Sequence, residues 1–462
     1  MGLSTSPHDW PASRKWSTVL SALLFTYIST LNVIGYPLLG DSVAAGLHTS
    51  DLAVQTGNTT YLVALAATPL LLAPLSERHG RKPVFIIACA LYTVFTIPQA
   101  LARNVGVLIA FRFLSGAAAS VGSSMAGGVV ADVFTEADRA FPMAMYAFAV
   151  WAGQGTGPVI TALTLASRDW RVVFWWNTAC GGLCMLVVVL CMTECRTASR
   201  RRINDGEAGK VKGWAGGIKH LGMECWHSLC VPLGLLARNS TVQSLSLWSA
   251  FVWSVTYIYV QAIPVVFSEG YKWTLVEETS VMVAAVPAGL LGLAANWHQG
   301  RIYHDRSIAA GRPLPEARLH YACAGAVLVP VGLVIFAWTG QPNISPGWPI
   351  FGYFLFSFGI FPIYLSLFSF LADIFEERAS SAMAAQSFCR NILSATLPLA
   401  SAKMYSSLGS PVATTVLASI AAVLAVVPFV LKSWHGKQGR KLHGQVTHES
   451  DRKEVPAAAA VL

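Results

Sequence analysis

The stretch Ala73-Pro-Leu-Ser-Glu77-Arg78-His79-Gly80-Arg81-Lys82-Pro83 decides how this chain folds. It separates two apolar runs, Tyr61-Leu-Val-Ala-Leu-Ala-Ala-Thr-Pro-Leu-Leu-Leu72 and Val84-Phe-Ile-Ile-Ala-Cys-Ala-Leu-Tyr-Thr-Val-Phe95. Five charged or titratable side chains fall between positions 77 and 82, a density that hydrocarbon does not tolerate. A tight turn at a membrane surface, reversing the chain between two spans, accommodates both the runs and the charge.

Composition extends this reading to the whole chain. Of 462 residues, 54% are hydrophobic and only 12% charged, half the charged share of a soluble domain. Many apolar runs reach about 20 residues, enough to cross a hydrocarbon core of about 30 Å. The alternation of a membrane β-barrel is absent, and open sheets cannot span lipid. The fold expected is an all-α membrane protein. The net charge of +9 does not point to nucleic acid, because the basic residues concentrate in loops on one side. Cys89, Cys180, Cys184, Cys191, Cys323 and Cys389 lie in apolar runs as small hydrophobes. Cys225 and Cys230 lack zinc spacing, so no metal site is expected. The N-terminus does not read as a cleavable signal: residues 1–16 are polar with Pro7 and Pro11, and the first apolar run has full spanning length.

The hydropathy pattern predicts twelve spans: 17–39, 58–76, 84–102, 106–134, 141–166, 171–193, 241–267, 277–297, 319–340, 347–374, 380–404 and 410–431. This gives a tail at 1–16, a six-helix bundle at 17–193, a central linker at 194–240, a second bundle at 241–431 and a tail at 432–462. Within the linker, Trp214 to Leu236 reads either as an interfacial helix or as a loosely ordered connection. With the N-terminus inside, 25 of the 32 Lys and Arg fall on the inner side, 4 on the outer side and 3 within spans. That asymmetry predicts cytoplasmic N- and C-termini. Asn58-Thr59-Thr60 is a formal glycosylation sequon, expected to go unused because it adjoins a span.

The chain also repeats itself. Ala131-Asp132-Val133-Phe134, followed by Arg139 and Met143-Ala144, returns as Ala372-Asp373-Ile374-Phe375, followed by Arg378 and Met383-Ala384. The same element ends the fourth span of each half. Two related six-span bundles around a site at mid-membrane are what an alternating-access carrier requires.

With these residues in place, the chain resembles the major facilitator superfamily. Glu77-Arg-His-Gly80-Arg81-Lys82 is similar to that family's signature between spans 2 and 3, with Ala73 where Gly is usual and Glu77 where Asp is usual. Leu108-Ile-Ala-Phe-Arg112-Phe-Leu-Ser-Gly116 resembles its span-4 motif. Gly153-Gln-Gly-Thr-Gly157-Pro158 resembles its span-5 antiporter motif, with Thr161-Ala162 in place of two glycines. Trp170-Arg171-Val-Val-Phe174-Trp175 and Pro315-Glu316-Ala-Arg318-Leu319 narrow the resemblance to fungal twelve-span drug:proton antiporters, a group that includes itaconate and mycotoxin exporters. The resemblance covers nearly all of 17–432.

It implies a secondary active transporter, not an enzyme, driven by a proton gradient and needing no cofactor. The partners expected are a small-molecule substrate and membrane lipid, the protein a monomer, and the location the plasma membrane, with the vacuolar membrane as the other site. It implies conformational gating by Glu77, Arg78, Gly80, Arg81 and Lys82, against the simpler reading that these cations only set topology. It implies coupling through Arg112, against a snorkelling arginine. Gly153 and Gly157 share a helix face and admit a neighbouring backbone, and Pro158 bends the helix. Asp132 and Asp373 read as partners of Arg139 and Arg378, or of basic groups like those of the 2–3 loop, and Asp305-Arg306 as a weaker echo of that loop. Candidate substrate contacts are Asn32, Tyr36, Gln154, Tyr257, Gln261 and Tyr364, with Gln386, Arg390 and Asn391 as a polar patch on span 11. Arg390 either binds an anionic or hydrogen-bonding substrate or makes an internal bond.

No acidic residue falls clearly at mid-span, whereas Arg112 and Arg390 do. The expected cargo is therefore neutral or anionic: an organic acid such as itaconate, or a secondary metabolite, moved outward against protons. The alternative is a broad-specificity drug or polyamine:proton antiporter. A channel or a membrane scaffold fits the repeat less well.

Overall fold

A computed structural model describes residues 6–135, 138–195, 230–310, 314–375 and 379–434. They form twelve long helices and, among the described residues, no strand. The first half contains α1 (Ala12–Gly35), α2 (Asp51–His79), α3 (Arg81–Ala100), α4 (Val105–Val133), α5 (Ala140–Ser167) and α6 (Arg171–Cys191). The second contains α7 (Ser240–Pro264), α8 (Leu275–Ala309), α9 (Pro315–Thr339), α10 (Gly347–Phe375), α11 (379–408) and α12 (410–434). α11 and α12 join without a loop, broken only by Gly409 at φ 73°.

Local chemistry sets the helix ends. The side chains of Ser50 and Asn104 accept the amides of Ala53 and Val107 and start α2 and α4. Thr274 and Glu277 form a capping box at the start of α8. The charged turn that decides the fold shrinks to one non-helical residue. Gly80, at φ 96°, separates α2 from α3, a conformation that a side chain would strain. Elsewhere helices overrun the expected spans, because the polar ends stay hydrogen-bonded helix beyond the apolar run. α2 starts at Asp51 and α8 continues to Ala309. Of the Trp214–Leu236 stretch, only 230–236 lies among the described residues, and it is helical. Of the expected linker, residues 196–229 lie outside them, as do residues 435–462 of the last tail.

The halves pack alike. In the first, α1 lies on α5, α2 on α4, α3 on α6 and α3 on α4; in the second, α7 lies on α11, α8 on α10, α9 on α10 and α9 on the continuous α11–α12 helix. Between halves, α2 meets α11 and α5 meets α8. Nine helical runs among the described residues are long and apolar enough to cross a membrane. Those that fall short, α2, α5 and part of α11, belong to the contact between halves. They carry Asn58, Gln154 and Gln386, polar groups that a helix facing another helix can hold and a lipid-facing helix cannot.

Candidate functional site

We call the end of the bundle where α2 gives way to α3 the terminal face, and the opposite end the far face. At the terminal face, Arg81 is 7% exposed and its Nε pairs with Asp132 Oδ2 of α4 at 2.9 Å. Its Nη1 donates to Ser76 Oγ at 3.0 Å. The second half repeats the arrangement: Arg318 Nε pairs with Asp373 Oδ2 of α10 at 3.0 Å, and the guanidinium lies over the Tyr303 ring. Of the two kinds of partner expected for Asp132, the structure shows the basic group of the 2–3 loop, and one expectation changes. Asp132 takes Arg81 rather than Arg139, whose Nε is buried without a partner. Arg378 lies outside the described residues, and the counterpart of Arg81 is Arg318 rather than Arg306, which reaches His320 instead. The loop between α8 and α9 is longer, so sequence spacing pointed to the wrong arginine.

Both pairs lie within their own half. Glu77 and Arg78 fall where only the backbone is described, as the last helical turn of α2. Sequence reasoning missed Glu194, just beyond α6. Its carboxylate accepts the amides of Arg81 and Lys82 at 3.0 Å each and caps α3 at its positive end. Lys82 Nζ donates to the carbonyl of Val189, so α6 is bound to the turn by two neighbouring residues.

Arg112 is fully buried in α4, which excludes snorkelling. Its Nη1 donates to Asn32 Oδ1 at 2.7 Å, its Nη2 to Asn58 Oδ1 at 2.8 Å and its Nε to the Gly57 carbonyl at 3.4 Å. The rings of Tyr36 and Tyr61 lie 3.9 and 4.3 Å from its central carbon. No carboxylate pairs with it among the described residues; amide oxygens and π faces compensate the charge. Asn32 and Tyr36 therefore belong to the arginine's cage rather than to an open cavity. Asn32 also donates to Tyr92, and Tyr36 donates to the carbonyl of Val54. Asn58 is itself 9% exposed and occupied by Arg112, a poor acceptor for a glycan.

Gly153 and Gly157 stand where expected, facing α1. A Cβ on Gly157 would come within 2.6 Å of the Leu31 carbonyl oxygen, and one on Gly153 within 2.9 Å of that of Tyr27. Pro158 follows inside α5. α4 widens into a π-helical turn at Val121–Met125, where Thr26 and Tyr146 donate to the carbonyls of Gly122 and Ser123. Carbonyls released by the irregular turn are thus satisfied from α1 and α5.

At the centre, α5 supplies Trp151 and Tyr146, α7 supplies Trp253, α10 supplies Phe361 and Tyr364, and α11 supplies Arg390. Trp151 lies 5.4 Å from Trp253 and 5.1 Å from Phe361, ring to ring, and its Nε1 donates to the Ser357 carbonyl of α10. Trp253 and Tyr364 stack at 5.1 Å, and the Tyr364 hydroxyl meets that of Tyr146 at 3.4 Å across the halves. Arg390 lies about 16 Å along α11 at 1.5 Å per residue. Its guanidinium sits 4.7 Å from the Trp253 ring and 5.2 Å from that of Tyr364, and it is 5% exposed. Its Nε and Nη1 make no hydrogen bond. The two deep arginines therefore differ: each nitrogen of Arg112 meets an acceptor, whereas Nε and Nη1 of Arg390 meet none.

The remaining candidates divide. Gln386 donates to Ser249 of α7 at 2.7 Å, fixing α11 rather than extending a patch with Arg390. Asn391 and Gln154 are buried, Gln154 one turn along α5 from Trp151. Tyr257 and Gln261 line a small cleft between the halves with Gln55, Asn58 and Ser394, wide enough for about one water. Thr59 of α2 closes one side by donating to the Ala395 carbonyl of α11. Asn58 thus touches both this cleft and Arg112. The aromatic cluster was not legible beforehand, because Trp151, Trp253 and Phe361 are ordinary apolar residues until the halves bring them together.

A family model described as Major Facilitator Superfamily matches residues 18–398. The chain is 28% identical to "Efflux pump radE" of Floropilus chiversii over 92% of its own length and 81% of the relative's. It is also 28% identical to "Polyamine transporter 3" of Saccharomyces cerevisiae over 93% of its length and 70% of that protein's. Among solved structures, the human organic anion transporter MFSD10 (TETRAN) superposes with a TM-score of 0.62 at 15% identity, over 91% of this chain and 100% of that one. At that identity the likeness concerns the fold.

Proposed function

This chain belongs to the Major Facilitator Superfamily, and we propose that, as an integral-membrane secondary transporter, it exports a small organic acid or acidic secondary metabolite by alternating access, linked to protons. The observation that carries this reading is Arg390: a buried cation, central between the halves, with two guanidinium nitrogens unmet. Burying an arginine without a counter-charge is costly, and a ligand that supplies the missing acceptor offsets that cost. A carboxylate accepts charge-assisted hydrogen bonds from a guanidinium. The clustered rings of Trp253 and Tyr364 exclude water and strengthen that pair. Outward direction is supported by the efflux pump among the relatives.

In this reading the bundles at 17–193 and 241–431 rock about the central cluster, with Gly153 and Gly157 seating α5 closely on α1 within the first bundle. Arg81–Asp132 and Arg318–Asp373 hold each bundle's terminal face rigid while it moves. Arg112 couples α4 to α1 and α2. The cellular site is the plasma membrane, and the working unit is a monomer.

The second reading, polyamine or drug antiport, is favoured by one relative's name, but it puts a cation beside Arg390. Counterflow in proteoliposomes under an imposed pH gradient separates the two. Carboxylates are expected to accumulate saturably, whereas spermidine and lipophilic cations do not. Saturable counterflow of a polyamine without competition by any carboxylate overturns the acid reading.

A further inference from the structure

We infer that Glu278 is a proton-binding site that ties closure of the far-face contact between α5 and α8 to uptake of one proton from water on that side. Glu278 lies in the first turns of α8 and is 3% exposed. Its Oε2 has no hydrogen-bond partner, and no ion pair reaches it among the described residues. It belongs neither to the central cluster nor to the Arg112 cage.

Apart from the positive end of its own helix, Glu278 meets no group that would hold its charge. α5, the main partner of this segment, has no titratable residue over positions 158–167. α7 and its continuation contain Glu269, which is exposed, and two tyrosines turned elsewhere: Tyr257 into the cleft and Tyr259 against Phe336 and Tyr353. On Glu278's own segment, Lys272 is exposed, the exposed Glu277 carboxylate accepts from Thr274, and the Tyr271 hydroxyl donates to the carbonyls of Thr339 and Ile344. The turn that follows, Val281–Ala284, has no titratable group.

The contact is also tight. One and two turns beyond Glu278, a Cβ on Gly155 of α5 would stand 3.1 Å from the Met282 carbonyl oxygen and 2.8 Å from Val286. An ionised carboxylate cannot stay in such a place without a partner, so the closed contact holds the neutral acid. When α5 and α8 part, water reaches the group, its O–H bond breaks and the proton passes to far-side water. Closure reverses the step. The closed form thus binds one more proton than the open form, and opening becomes easier as pH rises. This device needs only that the halves separate and is independent of what Arg390 binds.

Hydrogen–deuterium exchange on the full chain in lipid nanodiscs tests it without any substrate. Peptides covering 158–167 and 275–284 are followed from about pH 5 to about pH 8, corrected for intrinsic exchange. Protection in the wild type is expected to fall about tenfold per pH unit above the midpoint, the slope of one released proton. Glu278→Gln, which mimics the neutral acid, is expected to stay protected and vary less than about twofold. Glu278→Asp is expected to keep the slope with a displaced midpoint. The inference is overturned if Glu278→Gln follows the wild-type profile or if the wild type shows no pH dependence. Should Glu278→Gln fail to fold, Glu278→Asp decides, and an unchanged midpoint then overturns it.

Discussion

Arg390→Ala is expected to abolish saturable carboxylate transport while leaving the protein folded. Two charge-assisted hydrogen bonds to the substrate are lost, about 3 kcal/mol or more together, which is at least about a hundredfold in transport at sub-saturating substrate. The thermal midpoint should fall by no more than about a degree or two. The substitution leaves a cavity and ends the contacts with the Trp253 and Tyr364 rings, but it also removes a buried cation with unmet donors. Arg390→Lys should restore only part of the loss, since an ammonium keeps the charge but not the guanidinium's planar set of donors. Radiolabelled uptake and a thermal-shift assay on the same preparations read both quantities. Wild-type kinetics in Arg390→Ala would remove this residue from the substrate site.

Arg112→Ala should give the opposite pattern. This guanidinium donates to Asn32, Asn58 and Gly57 and lies against two tyrosine rings. Its loss leaves buried amide oxygens without donors and a large cavity among three helices. The expected cost is about 3–5 kcal/mol of stability, enough to lower expression and the thermal midpoint by several degrees. Arg112→Lys should recover little, because one ammonium cannot reach three acceptors spread over α1 and α2. A thermal midpoint within a degree or so of the wild type would mean that the cage is not a structural unit. The pair of experiments thus separates an arginine that builds the fold from one that waits for a ligand.

How much of this could be read from sequence follows from what each feature depends on. The turn at Gly80, the glycine face of α5 and the repeat around Asp132 and Asp373 depend on local spacing, and they stand where expected. Features made by long-range packing were not accessible. Glu194 lies 113 positions beyond the Arg81 amide it caps, and Arg318 could not be told from Arg306 without knowing where α9 begins. Asn32 and Tyr36 share a helix face as expected, but only the fold shows that the face is filled by Arg112. Depth was a misleading guide for Glu278, because an acid near the end of a span can still be sealed by a neighbouring helix.

The missing counter-charge at Arg390 also bears on how membrane voltage acts on the cycle. An anion seated on the guanidinium makes a neutral pair, so the loaded carrier moves no net charge at this depth and voltage does little work on that step. The anion-free carrier, which brings back the coupled proton in this reading, returns with the guanidinium uncompensated. A unit charge crossing the whole field exchanges about 2.3 kcal/mol per 100 mV with it, and a charge moving part of the way exchanges a fraction of that. The electrical sensitivity of transport should therefore reside in the unloaded return. Net efflux should respond to an imposed potential while anion-for-anion exchange does not, a difference that disappears if Arg390 stays fixed in the field throughout.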